Sequence, residues 1–439
     1  MGAFADVCAA VETAMAETET PGVAIGVLEE GEEYTRGFGV TSVENSLEVT
    51  PDTLFQIGSI TKTFTGTVAM VLVERGELDL DVPVRTYLPE LRLLDEDAAA
   101  RATMRHLLTH TGGWVGDYFE DHGAGDDALA RMVAALSELP QLTPLGEVWS
   151  YNNAGFYIAG RVIEVIAGKP YEEVVNEVLL EPLGLGSTFF FAEEVMTRRF
   201  AVGHLRSEDG PPSVARHWPI GRAHHAAGGL ASTVRDLMRY ARFQMSDGDG
   251  IVSRASLDEM QRVQRDVGSI FDAIGLTWAL ATRNGRRVAS HGGGTAGQIS
   301  LLALLPDEAS ALAVVTNHQR GGEINVAAAD AFGIGVEERT AMELDADAYL
   351  GTYGSALQDV ELRRENTRLL LLITPKGGFP KKDSPPMPAP PPLSVAFHAR
   401  DRLFVSEGPG KGGEAEFLRA PDGEISWFRV GGRVMRRLP

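Results

Sequence analysis

The chain has 439 residues, 44% of them hydrophobic and 23% charged, an ordinary globular composition at a length that fits two or three cores. Its 40 basic and 61 acidic residues give a formal charge of −21, which excludes nucleic acid as a partner because phosphate contacts need a surplus of Lys and Arg. No stretch reaches the roughly 18 apolar residues of a membrane span, and the first residues lack a basic then apolar export pattern, so a soluble, cytoplasmic protein with no membrane partner is expected.

In chain order, Phe4, Val7, Cys8, Val11 and Met15 recur at helical spacing and predict an amphipathic first helix. Cys8, the single cysteine, falls on that apolar face, which favours packing over reactivity and leaves no internal disulfide. Residues 23–28 and 34–40 predict two strands joined by a tight turn at Glu30-Gly31. A helix follows over 60–75, with Phe64, Val68, Val71 and Leu72 on one face and Gly76 as its stop. From about 77 to 245 the pattern is mainly helical (104–109, 129–136, 156–166, 171–180, 234–244), with connections rich in Gly and Pro. Beyond 270 it becomes extended: 276–281, 288–290, 299–305 and 312–316 predict an antiparallel sheet.

A chain that opens β-β, turns helical and returns to strands predicts an α/β (α+β) fold, an antiparallel sheet flanked by helices with a helical domain inserted. We expect this domain over 1–340 and a small C-terminal all-β, barrel-like domain over 345–439, where short extended runs such as 369–374, 403–406 and 427–430 restart. Residues 385–392 hold six prolines in eight positions and predict an extended surface loop.

Gly58-Ser59-Ile60-Thr61-Lys62 places a hydroxyl and an amine three residues apart at a helix start, on one face and within mutual reach. The helix N-terminus favours a developing oxyanion there, and a lysine made neutral by burial can accept the serine proton. Read alone, S-x-x-K is also an ordinary helix cap. Only six of the 40 basic residues are lysines, however, so a lysine at this spacing is rarely an accident. Tyr151-Asn152-Asn153 precedes the predicted 156–166 helix; a tyrosine made acidic by a nearby lysine can shuttle a proton, and Asn153 can bond substrate and hold the lysine. His291-Gly292-Gly293-Gly294, at the end of a predicted strand, lets a substrate approach the strand edge, and the Gly294 amide can complete an oxyanion hole with that of Ser59.

Together and in this order, the three segments resemble the serine β-lactamase and penicillin-binding-protein superfamily, particularly class C β-lactamase-like esterases and D-amino-acid peptidases. S-x-x-K corresponds to Ser59 and Lys62, Y-x-N to Tyr151 and Asn153, and the strand-borne third motif to His291, Gly292 and Gly293. The stretches at 106–113 and Gly228-Gly229-Leu230 are also similar to this family, over roughly residues 5–335. The resemblance implies a serine hydrolase acting on a small ester or amide, with no cofactor and no metal. β-lactams, D-amino-acid peptides, acyl transfer or a non-catalytic binding role are its alternatives. Where β-lactamases usually carry a lysine in the third motif this chain has His291, neutral at pH 7 if its pKa is ordinary, which points away from carboxylate-bearing substrates.

His106 and His110 stand at i and i+4, but Leu107 replaces the glutamate of H-E-x-x-H, so a metal site is not expected. His224-His225 reads as a loop near the cleft, and Thr233 with Asp236 as a helix capping box.

Overall fold

The structure is a computed structural model that describes residues 2–206, 210–218, 220–268, 270–377, 384–386, 388–408 and 410–439. Helix α1 (Gly2–Thr18) leads into the hairpin β1 (Gly22–Glu29) and β2 (Glu32–Gly39), whose turn uses positive φ at Glu30 and Gly31. A tight turn over Gly58–Ile60 opens α2 (Thr61–Glu74). Helices and long connections, among them α3 (Asn153–Ala167) and α4 (Val234–Met245), fill the span before the chain returns to the sheet. The returning strands are β3 (Ala279–Arg283), β4 (Arg286–Thr295), β5 (Gln298–Leu305) and β6 (Ser310–Thr316), followed by α5 (Gly321–Ala331).

These strands form one antiparallel sheet in the order β2-β1-β6-β5-β4-β3, extended at the β3 edge by two two-residue strands. Helices cover both faces, so its central strands are buried on both sides and read as continuous apolar runs. Along β1, Val23, Ile25 and Val27 join the core beneath α1 and α5, while Ala24 and Leu28 join the core around α2 and α4. Gly26 fits because a Cβ there would lie 2.8 Å from Met238 on α4.

Three boundaries differ from expectation. The strand expected from 276 begins at Ala279, after Thr277 turns the chain with φ 72°. His291-Gly292-Gly293-Gly294 does not follow a strand but lies inside β4, which runs on to Thr295. The helix expected from 156 starts at Asn153, with the Asn152 side chain accepting from Gly155 N at 2.8 Å as its N-cap.

The C-terminal part closes into a barrel of eight antiparallel strands: β7 (Gly351–Gly354), β8 (Gln358–Glu365), β9 (Arg368–Pro375), β10 (Leu393–Ala399), β11 (Arg402–Glu407), β12 (Glu414–Arg419), β13 (Ile425–Val430) and β14 (Arg433–Arg437). Closure pairs β7 with β14 and removes the free edges of an open sheet. Tyr353, Phe397, Phe417 and Phe428 fill its interior, a core separate from that of the main sheet. Within 385–392, Met387 lies outside the described residues; the others carry neither helix nor strand and are exposed. No helix among the described residues is long and apolar enough to cross a membrane.

Candidate active site

Ser59 lies in the turn that opens α2, where Gly58 takes φ 51° and a Cβ on it would come within 2.6 Å of Gly294 N. The turn therefore abuts β4 backbone to backbone. Gly293 is tighter still, since a Cβ there would meet Ile57 O at 1.9 Å and Ser300 Oγ at 2.4 Å. The Ser59 side chain does not cap the helix. Instead Lys62 Nζ reaches Ser59 Oγ at 3.1 Å and donates to the Ala227 carbonyl at 2.5 Å. Lys62 is completely buried, and burial holds its amine well below the usual lysine range; the Arg433 cation pushes the same way and Asp117 opposes it. A neutral amine can donate to Ala227 and still direct a lone pair at the serine.

Tyr151 forms one wall. Lys62 Nζ is 4.9 Å from its ring centroid, and its buried hydroxyl faces Ser59 without an aligned hydrogen bond. Burial pushes the phenol up, with Ser59 and Arg433 drawing it partly back. The acidic tyrosine expected from the sequence is thus a protonated phenol, because desolvation outweighs the neighbouring charges. Asn153 also departs from expectation: its Nδ2 donates to Asp117 Oδ1 at 3.0 Å rather than holding the lysine.

β4 forms the other wall. β3 pairs with it only as far as Ser290, which leaves the 291–295 segment without a partner strand on that side. His291 Nδ1 bonds the Gly292 carbonyl at 2.6 Å, so Nδ1 carries the proton and Nε2 is free to accept. Burial lowers its pKa to about 3, with Lys62 adding to the shift, and the ring is neutral.

Ser59, Tyr151, Asn153, His291, Gly292, Gly293 and Gly294 line one cavity of about 670 Å³, with Lys62 beneath Ser59. The same cavity is lined by His110, weighed in the sequence only as a metal ligand, and by residues that sequence reasoning missed: Asp117, Trp149, Phe271, Leu357 and Arg433. Arg433 comes from the barrel, more than 280 positions from Tyr151, and no local spacing signals that. Trp149 stands two residues before Tyr151 and could have been noticed as an aromatic in the motif's own loop.

The histidines singled out earlier have other partners. His106 Nδ1 accepts from Thr103 N at 3.1 Å, capping a helix, and His110 Nδ1 accepts from Asn152 N at 2.9 Å. His224 faces the cavity, while His225 turns away to Glu172 at 2.6 Å.

Residues 7–332 match the sequence model of the Beta-lactamase family. Penicillin-binding protein 4 of Amycolatopsis lactamdurans is 35% identical over 313 residues, covering 69% of this chain and 82% of that protein. Esterase EstB of Burkholderia gladioli is 32% identical over 213 residues, 44% of this chain and 53% of that protein. The crystal structure of SurE superposes with a TM-score of 0.78 at 26% identity, covering 98% of both chains, barrel included. The chain belongs to the beta-lactamase family, and it is a serine hydrolase of that family.

Proposed function

We propose that the enzyme cleaves small esters or amides through an acyl-enzyme on Ser59, with carboxylesterase-like turnover favoured. The contact that carries this reading is the buried Lys62 amine 3.1 Å from Ser59 Oγ. Neutral Lys62 takes the Ser59 proton as Oγ attacks the carbonyl. The oxyanion forms between the amides of Ser59 and Gly294. The protonated Tyr151 phenol gives its proton to the leaving oxygen or nitrogen and regains one by way of Lys62, and water then releases the acid by the reverse route. These steps need no cofactor.

Substrate choice follows from the charges in the cleft. Neutral His291 offers no cation to a carboxylate, and Arg433 is already paired with Asp117 at 3.1 Å. Trp149, Phe271, Ile274 and Leu357 favour an apolar substituent. EstB, an esterase by name, agrees with this preference. A second reading, an amide or peptide with a D-residue, has its support in a SurE structure solved with D-Leu, 25% identical to this chain. The division into domains at about 340–345 belongs to this reading and is supported by the two separate cores. A cytoplasmic location does too, and cell fractionation tests it.

Initial rates on p-nitrophenyl acetate and butyrate, a chromogenic cephalosporin and D-leucine amide test the proposal. The esters should turn over fastest, and Ser59→Ala should abolish every rate. A cephalosporin faster than the esters would overturn the esterase preference, and D-leucine amide as the best substrate would favour the second reading.

A further inference from the structure

Tyr151 is held from outside its own part of the fold. The turn Gly431-Gly432 between β13 and β14 reaches the cavity, and the Gly432 carbonyl accepts from Tyr151 N at 2.8 Å. Val434 N donates to Ser150 Oγ at 3.2 Å, Arg429 Nη1 to Trp149 O at 2.7 Å, and Trp427 Nε1 to Leu142 O at 3.1 Å. The last hairpin of the barrel thus follows the segment that ends at Tyr151. Glycine is favoured at 432, where φ is 77° and a Cβ would come within 3.0 Å of the Trp149 ring.

Next along the chain, the Arg433 guanidinium lies 4.7 Å from the Tyr151 ring centroid. It donates to Asp117 through Nε at 3.1 Å and Nη2 at 3.4 Å, and to Gly431 O through Nη1 at 3.1 Å. Asp117 also accepts from Asn153. From the other side of the loop, His110 stacks on Tyr151 at 4.4 Å, its carbonyl accepts from Ser150 N and its Nδ1 from Asn152 N.

We infer that the barrel completes the active site, with Gly432 fixing the Tyr151 backbone and Arg433, balanced by Asp117, acting as the positioning residue whose charge Lys62 and Tyr151 work against. This rests on the Ser59 acyl-enzyme reading. The titratable or charged groups around Lys62 are Tyr151 and Asp117 from the loops before α3, His110, His291 on β4, and Arg433. Both histidines are held neutral by burial, so Arg433 and Asp117 are the fixed charges. A cation nearby disfavours the ammonium form of Lys62, and an anion favours it.

The two charges therefore have opposite signatures in a pH profile. With full-length enzyme and p-nitrophenyl acetate, Arg433→Gln should move the acidic limb of kcat/KM upward by on the order of one pH unit, with activity recovering at alkaline pH. Asp117→Asn should move it downward, and Arg433→Lys should keep it near the wild-type position. If the limb stays fixed in Arg433→Gln, or moves the same way in both variants, the role assigned to Arg433 is wrong. A loss in Arg433→Gln that saturating substrate abolishes would make Arg433 a substrate contact and overturn the inference. Should Arg433→Gln fail to fold, the downward shift in Asp117→Asn still decides the matter. Labelling of Ser59 by a fluorophosphonate separates the two levels: unlabelled wild type defeats the acyl-enzyme reading, whereas labelled wild type with an unmoved limb defeats only the role of Arg433.

Discussion

The floor and the Tyr151 wall of the cleft are built in contrasting ways. On the floor, Ser59 and Lys62 are three residues apart on one turn, and burial is the main cause that keeps the amine neutral and able to accept a proton, with the Arg433 cation adding to it. In the wall, Tyr151 owes its place to His110, Gly432 and Arg433, drawn from a loop forty residues earlier and a barrel hairpin near the chain's end. The floor is a local device that burial chiefly tunes, with the Arg433 charge adding to it. The wall is an assembly, tuned by a charge pair that exists only when both parts of the molecule dock.

Substitutions should separate the two. Lys62→Met, which keeps bulk but removes the amine, should lower kcat/KM by about 10²–10⁴-fold without changing the unfolding midpoint much; a loss under tenfold would mean that another base serves the floor. Gly293→Ala should follow, because its methyl would press Ile57 O and force the Ser59 turn away from β4. A loss of about a hundredfold is expected from such a displacement, while Gly292→Ala, whose nearest neighbour would be 3.6 Å away, should stay close to wild type. Equal effects of the two would contradict the close packing of floor against strand.

On the wall, Gly432→Ala should cost about 1–2 kcal/mol in the left-handed backbone region and reduce kcat about tenfold, with KM for a short ester little changed. A change confined to KM would mean that the hairpin contacts substrate rather than Tyr151. A smaller effect concerns pH and stability. His224, at the cavity, and His291 are held by burial at about 4 and about 3, below their ordinary 6.5, so the unfolded chain takes up protons first as pH falls. Their neutral burial contributes its full stability above about pH 6.5 and loses it progressively as pH falls toward 4. The unfolding midpoint should drop over that window, and His224→Gln should make the drop shallower. Least of all, Cys8→Ala on α1 should lower stability by about 1 kcal/mol and leave kcat/KM within twofold, since its core is not the one beneath the cleft.

The same contrast explains what was legible in the sequence. Helix period, turn residues and the S-x-x-K spacing are local, so the order of elements, the sheet and the barrel-like end could be read in advance, as could the three segments that the fold brings to one cavity. The extent of β4 through His291 to Thr295 could not, because a glycine run reads as a turn until a neighbouring backbone requires it to be flat and bare. Burial was equally invisible: proximity to Lys62 suggested an acidic Tyr151, whereas desolvation leaves it protonated. Arg433 and Asp117 carry no motif. They matter because the docked barrel places one beside the other at the cleft, and no spacing along the chain encodes that meeting.

The most direct measurement is an acid quench during turnover of p-nitrophenyl butyrate, followed by digestion and peptide mass analysis. A butyryl group is expected on the peptide containing Ser59, absent from Ser59→Ala, which should also show no turnover. Acylation of any other residue, or turnover that persists in Ser59→Ala, would contradict it.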